Sequence, residues 1–268
     1  MSIRLPEIRI PPDLAREDMP DLLRHWYLGS RARRHMMLRR FLEVDRHLDA
    51  RRGHRVLDVG SAWGFNVMAL QRLGFEAVGV DLVPDQFDVG RRIAEYNGVP
   101  FDVAGADAAA LPFPDATFDH VTMVETFEHI FVDDRLRALA ECRRVLKAGG
   151  RLVLSTPNHD GVVERFKRHA VRNGRLRERL PSMCLPDEGT PREDYHPYRY
   201  HRPLPDRELV TLVESTGFTV RGVSHFLFTL KNTPDALAGA LSLGERALER
   251  SPLIRRFAAT VCVVADRR

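Results

Sequence analysis

Cysteine is scarce in this chain: there are three in 268 residues, Cys142, Cys184 and Cys262, far apart and without C-x-x-C spacing. That excludes a disulfide framework and gives a cysteine zinc site no support. Long apolar runs are missing as well. No stretch approaches the roughly 18 consecutive apolar residues of a membrane span, and the opening MSIRLPEIRI lacks the apolar block of a signal peptide. The expected compartment is the cytoplasm. Charge of one sign is in small excess only: a net +4 with a sequence pI near 9.2 does not demand nucleic acid as a partner. What remains is an ordinary globular composition, 44% hydrophobic and 29% charged with 18 Gly and 17 Pro, which excludes fibrous and disordered readings. The length suits one large domain, or one domain with an elaboration, able to bury a sizeable core. The positive excess is local, in RARRHMMLRR (31–40) and in the stretch 164–179 with Arg165, Lys167, Arg168, Arg172, Arg175, Arg177 and Arg179. Such runs read first as solvated helix faces, with an anionic partner or acceptor as the other reading.

Strand-like and helical patterns alternate through the middle of the chain, the signature of an α/β fold with a parallel sheet covered on both faces. HRVLDVG (54–60) is a buried strand ending in glycine, NVMALQRLG a helix stopped at Gly74, and EAVGVD a second strand. QFDVGRRIAEYNG is the next helix, PFDVAGAD a third strand and DHVTMVE a fourth. RLRALAECRRVLKAGG reads as an amphipathic helix with a cationic last turn and a glycine stop, before RLVLST as a fifth strand. Residues 1–50 form a helical cap of two helices broken near Gly29, 51–158 a ligand-binding core, 159–205 a substrate-side insert and 206–268 the rest of the core. In that last part the helix DRELVTLVESTGF, the strand TVRGVSHFLF, a helix near 234–250 and the strand ATVCVVAD follow one another. An insert of about fifty residues rich in Arg, His, Tyr and Pro is longer than compact domains usually tolerate without a function.

The first strand delivers Asp58-Val59-Gly60-Ser61-Ala62-Trp63-Gly64 into a helix start, a turn of small residues that a ligand can approach closely. The dinucleotide fingerprint G-x-G-x-x-G and the Lys-Ser/Thr of a P-loop are both absent. Instead a carboxylate, Asp58, stands two residues before the first glycine, where it would repel a pyrophosphate and attract an ammonium or sulfonium. Asp81 ends the second strand, where an acid can accept hydrogen bonds from ribose hydroxyls. Asp107 follows the third strand and can accept from an exocyclic amine, with Ala108 and Leu111 as backbone and apolar contacts to a ring. Each acid alone reads as a turn aspartate; three at successive strand ends beside one glycine turn read as a nucleoside site.

VLDVGSAWG, VGVD, GADAAALPFPDATFDHV, VETFEHI and RRVLKAGGRLVLSTPN together resemble the successive motifs of class I S-adenosylmethionine-dependent methyltransferases, in the small-molecule branch that includes ubiquinone and sugar methyltransferases. The resemblance runs from Val56 to Asn158, with a looser tail at HRPLPDRELVTLVESTGF. It implies a Rossmann-like seven-stranded sheet with helices on both faces and an antiparallel last strand. It further implies S-adenosylmethionine as cofactor, leaving as S-adenosylhomocysteine. By the same resemblance, Gly60, Ser61, Ala62 and Gly64 would cradle its methionine part, Asp81 with the adjoining Leu82 the ribose, Asp107 and Ala108 the adenine, and Glu125 the methionine side. Ala62 replaces the family's middle glycine, and its methyl group is accommodated where φ is negative. Trp63 is bulkier than the family's usual residue in that loop.

Methyl transfer to a hydroxyl needs a base, so histidines near the acceptor side are weighed. His129 follows the fourth strand, and His196 and His201 lie with Tyr195, Tyr198 and Tyr200 in EDYHPYRYHRP. The structural readings of the same residues are a helix-start histidine and a packed aromatic loop. The E-x-x-E-H cluster Glu125, Glu128, His129 also resembles the divalent-metal site of ubiquinone-pathway O-methyltransferases and small-RNA 2′-O-methyltransferases; since the same letters occur in relatives without metal, a metal is not the favoured reading. The expected function is O-methylation of a small molecule such as a sugar, a polyketide or another secondary metabolite. RNA 2′-O-methylation and a non-catalytic cofactor-binding scaffold stand as alternatives.

Overall fold

A computed structural model describes residues 5–48, 53–172, 190–197 and 199–268. Cys184, Tyr198 and the arginines 175, 177 and 179 of the basic stretch lie outside the described residues.

The glycines set the helix ends. Gly60 at φ 80° turns the chain out of β1 (Arg55–Val59), Gly64 at φ 82° starts α2 (Phe65–Leu73), and Gly74 at φ 91° ends it. Next come β2 (Glu76–Asp81), α3 (Phe87–Asn97), β3 (Asp102–Gly105) and β4 (Phe118–Val124). The helix α4 (Arg135–Val145) leads into β5 (Leu146–Pro157), followed by α5 (Val162–Arg172). The chain closes with α6 (Asp206–Ser215), β6 (Phe218–Phe226), α7 (Asp235–Arg250) and β7 (Thr260–Arg267). These strands make one sheet in the order β3-β2-β1-β4-β5-β7-β6. All neighbours from β3 to β5 are parallel, and β7 runs antiparallel between β5 and β6. The expected seven-stranded sheet with a reversed last strand is therefore present.

Gly149 and Gly150 do not stop the helix, as the sequence suggested. The helix ends at Val145 and the strand starts at Leu146, which pairs with Phe118 before the register shifts. A side chain on Gly150 would meet the Asp119 carbonyl at 3.0 Å, so the glycines serve a bulge where two backbones approach.

Apolar side chains fill both faces of the sheet. One face packs Leu57, Val121, Leu152 and Val263 against α4 and α6 through Leu139, Val145, Leu209 and Val213. The other packs Val56, Ala77, Val153 and Val264 against α2 and the N-terminal helix through Val67, Leu70, Met36 and Val44. That N-terminal helix, α1 (Arg31–Asp45), is capped by the Ser30 hydroxyl accepting from Arg33 N–H. A π-helical turn (Leu22–Tyr27) precedes it, with Gly29 between the two.

The run 31–40 is not simply a solvated face. Arg34 stacks on Tyr27, Arg39 pairs with Glu249 at 2.8 Å and Arg40 with Glu125 at 3.0 Å. The arginines tie the cap to the core, a tertiary use that local charge counting does not reveal.

Candidate active site at the strand ends

The parallel strands β1, β2, β3 and β4 end on one edge, and the acids and small residues singled out above converge there. The turn after β1 is held by Gly60 N–H and Ser61 N–H, both donating to the Val80 carbonyl at 2.8 and 2.9 Å. Asp81 then fastens the turn from β2. One of its carboxylate oxygens accepts from Ala62 N–H and the other from Val83 N–H, each at 2.9 Å. Burial raises its pKa, and those two N–H groups partly offset the rise. Leu82 beside it is an exposed large apolar side chain, 47% accessible. Asp107 is exposed and accepts from Ala109 N–H at 2.8 Å in an Asx turn, with Ala108 half-buried next to it.

Asp58 lies beneath the turn rather than on its rim. It is 2% exposed, and one oxygen accepts from Asn66 at 2.9 Å and from the Thr122 hydroxyl at 2.7 Å. Burial pushes its pKa up to about 6 against those hydrogen bonds. Asp45, at the end of α1, is buried beside it, and burial together with the Asp58 charge raises its pKa well above the ordinary range.

Two expectations about the turn need correcting. Ala62 has φ 47°, a left-handed conformation, because its N–H is directed at Asp81 while the chain turns back toward α2. Trp63 does not crowd the turn: it is 1% exposed and packs edge-on to Tyr27 and against Phe65, inside the core of the cap. The turn's glycines are also demanded by the protein itself. A side chain on Gly60 would strike Thr126, and one on Gly64 would strike the Phe101 ring.

At the end of β4 the chain turns at Glu125, φ 52°, into a short helical turn (Phe127–His129). Glu125 pairs with Arg40 at 3.0 Å and accepts from the Ser155 hydroxyl at 3.2 Å. Burial pushes its pKa up to about 7 despite Arg40. Glu128 is 1% exposed and accepts from Thr156 at 3.0 Å; burial raises it too, and His201 works against that rise. The His129 Nδ1 lies 2.6 Å from the Tyr200 carbonyl. A carbonyl only accepts, so Nδ1 carries the proton and Nε2 keeps its lone pair. Burial lowers the His129 pKa, outweighing the carbonyls around it.

His201 is 4% exposed, with its ring centre 5.6 Å from that of His129. Its Nε2 lies 3.4 Å from Glu164 Oε2 and 3.4 Å from Lys167 Nζ. Burial works to raise the Glu164 pKa, but His201 and Lys167 hold it below the usual carboxylate range. His196 is not part of this pair; it is exposed, in a turn whose carbonyl accepts from Arg199 and Tyr200. Tyr195 donates its hydroxyl to the His129 carbonyl at 2.8 Å.

Sequence reading missed Arg40, Glu164, Lys167 and Arg135. Arg135, 1% exposed, reaches the carbonyls of Ile130, Glu128 and Arg202 and so joins the β4 loop to the segment carrying His201. No spacing rule links residues so far apart; the E-x-x-E-H letters alone offered a hint.

The orphaned Ser61 hydroxyl, buried with no partner among the described residues, and the bare apolar Leu82 fit a polar, ring-bearing cofactor on this edge. Glu128, His129 and His201 place one ligand atom each within 4.8 Å of one another, a donor set that suits a divalent cation. The Arg40 guanidinium and the Lys167 ammonium already set positive charge at either end of that cluster. A shallow apolar cleft of ≈ 350 Å³, lined by Leu136, Arg207 and Leu212 of α4 and α6, contains none of these residues.

Residues 57–154 match a family model described as a methyltransferase domain. The chain is 37% identical over 121 residues to a ubiquinone biosynthesis O-methyltransferase of Cereibacter sphaeroides, covering 44% of this chain and 48% of that protein. It is 41% identical over 102 residues to a demethylmenaquinone methyltransferase of Thermus thermophilus, covering 37% and 46%. The chain thus spans about half the length of the curated relatives it matches. Among solved structures it is similar to a methyltransferase of Thermotoga maritima titled a possible histamine N-methyltransferase, at TM-score 0.59 and 21% identity over 91% of this chain and 93% of that one. It is also similar to a Burkholderia thailandensis 1,6-didemethyltoxoflavin-N1-methyltransferase carrying S-adenosylhomocysteine, at TM-score 0.57 and 18% identity over 91% and 81%.

Proposed function

We propose that the chain, whose residues 57–154 match a methyltransferase-domain model, is a class I S-adenosylmethionine-dependent methyltransferase that transfers the methyl group to an oxygen of a small molecule, with His129 as the base. The observation that carries this reading is the His129 tautomer. With Nδ1 committed to the Tyr200 carbonyl, Nε2 is the basic atom, 3.8 Å from Glu128 Oε1, and burial lowers the pKa of the ring.

The cofactor supplies an electrophilic methyl on a sulfonium, and transfer neutralises charge, so alignment and dryness contribute more than strong acid–base help. In this reading Gly60, Ser61, Ala62 and Gly64 hold the amino-acid part by backbone groups, with Asp58 and Glu125 as the nearby carboxylates. Asp81 and Leu82 take the ribose, and Asp107 and Ala108 the base. His129 Nε2 removes the acceptor hydroxyl's proton. His201, oriented by Glu164 and Lys167, forms the opposite wall. His196, exposed and off the cluster, is proposed for the outer mouth rather than the chemistry. The two cations already bracketing the carboxylates favour turnover without a metal; a bound divalent ion would be held by Glu128, His129 and His201 and would lower the acceptor's pKa.

The name of the Cereibacter sphaeroides relative favours a hydroxylated ring of quinone-precursor type as acceptor, ahead of the sugar or polyketide hydroxyls the sequence suggested. A panel of phenols, sugars, polyketides, amines and RNA with methyl-labelled cofactor tests the reading. A labelled methyl ether on a small phenol or other hydroxyl is expected. Label on nitrogen or RNA alone, or cofactor binding without any transfer, would overturn it in favour of N-methylation, RNA 2′-O-methylation or a scaffold.

A further inference from the structure

The helix α7 turns two of its carboxylates toward the protein. Glu245 is 1% exposed, bonded to His35 at 2.7 Å and to Thr229, and Glu249 pairs with Arg39. Its outward face exposes Ala236, Leu237, Ala240, Leu243, 86% accessible, and Ala247 beside Arg246 and Arg250. The chain then runs through Leu253, 68% exposed, Ile254 and Phe257 in the turn before β7, all of them open to solvent. That turn is fixed to the end of β5, since Asn158 donates to the carbonyls of Arg256 and Ala258 at 3.0 and 2.9 Å. The start of α5 adjoins it, because a side chain on Gly161 would meet the Ala258 carbonyl, and there Val162 and Phe166 are again exposed, one helical turn apart.

Single exposed apolar residues mean little, but contiguous ones mark a contact surface. This group lies on the same sheet edge as the candidate site, since β5 ends there, and its exposed charges are mostly arginines, with Asp235 at the start of α7 accepting from Arg31 N–H. Arg165, Arg246, Arg250, Arg255 and Arg256 are exposed among the apolar side chains. The acids nearby are neutralised or turned away: Glu164 is buried against Lys167, Glu249 is paired with Arg39, and exposed Asp160 is bonded to His159. A second copy meeting this face about a twofold axis would set these arginines against their own counterparts. Apolar side chains interleaved with arginines suit instead the headgroup–acyl boundary of a bilayer, where the arginines meet anionic headgroups.

We propose that this edge, formed by the outward face of α7, the turn before β7 and the start of α5, docks on an anionic lipid surface. The acceptor mouth then lies close to the membrane plane. The proposal does not depend on the acceptor or the chemistry assigned above, because docking is read without cofactor or methyl transfer.

Co-sedimentation of the full chain with vesicles tests it. Vesicles of phosphatidylcholine containing phosphatidylglycerol should bind about tenfold more tightly than phosphatidylcholine alone, and added salt should erode the difference. Leu253→Asp with Phe257→Asp, and separately Arg255→Glu with Arg256→Glu, should each cut binding by about tenfold. Leu243→Asp on the far element is the third variant, and unchanged thermal melts show that each is folded. Binding that ignores lipid charge, or that survives all three variants, overturns the proposal. So does a dimer in light scattering that Leu243→Asp dissolves while vesicles are not bound, which would give this face to a second copy of the chain.

Discussion

His129 Nδ1 and the Tyr200 carbonyl lie 2.6 Å apart, and this contact joins the loop after β4 to the segment before α6 across 71 residues of sequence. It fixes which ring nitrogen donates, so the proposed base and the segment opposite it are held by one hydrogen bond. Asparagine can keep a donor toward that carbonyl but has no basic nitrogen. His129→Asn should therefore lower kcat by about 10²–10⁴-fold and leave the cofactor Kd nearly unchanged. Rapid-quench turnover beside calorimetric cofactor titration checks this; equal losses in both would place His129 in the cofactor site instead.

Asp81 holds Ala62 N–H and Val83 N–H at the end of β2, where the ribose is proposed to lie. Asp81→Ala should weaken cofactor binding by about 1.5–3 kcal/mol, the scale of hydrogen bonds to a charged group. Isothermal titration of the folded variant measures it, and unchanged affinity would remove Asp81 from the ribose position.

Arg40 and Lys167 supply the positive charge around Glu125, Glu128 and His201. Turnover should persist after EDTA treatment and gel filtration. Activity lost to the chelator and restored by Mg²⁺ or Mn²⁺ would move Glu128, His129 and His201 into a metal site.

Asp45 and Asp58 are buried carboxyls with raised pKa values, Asp58 at about 6. For acids raised on folding, the stability contribution is complete below the unfolded pKa, near 4, and is lost as pH rises through the folded value. The pair should thus weaken the cofactor-free protein as pH climbs from about 4 past 6. Asp45→Asn should raise Tm at pH near 8 and give little gain near pH 4. Calorimetric melts of both proteins across that range decide it; a gain at low pH only would sink the account.

Ala62 sits at φ 47°, where an L-residue costs roughly 1–2 kcal/mol. Ala62→Gly should relieve that strain and stabilise the fold by about 1 kcal/mol, less the extra chain entropy of glycine. Chemical denaturation reads the difference, and destabilisation would show that the Ala62 methyl packs usefully in the turn.

The sheet, its helices and the strand edge that gathers the candidate residues follow from local patterns in the chain. Strand and helix periodicities and glycine stops are local properties, so β1, α2, β2, α3 and their turns were legible, and the acids Asp58, Asp81 and Asp107 could be ranked along one edge by counting strand ends. Where glycine had two uses, local reading chose wrongly: Gly149 and Gly150 serve a bulge and not a helix stop, because the reason is a neighbouring strand. Long-range packing sets how deep Asp58 lies, makes Ala62 left-handed, turns Trp63 toward Tyr27 and brings His201 rather than His196 to His129. It also recruited Arg40 from a run that local counting assigned to solvent, and turned the apolar face of α7 outward. Each of these depends on a partner tens of residues away, and burial, charge pairing and left-handed turns are set by what the chain packs against rather than by what precedes it along the sequence.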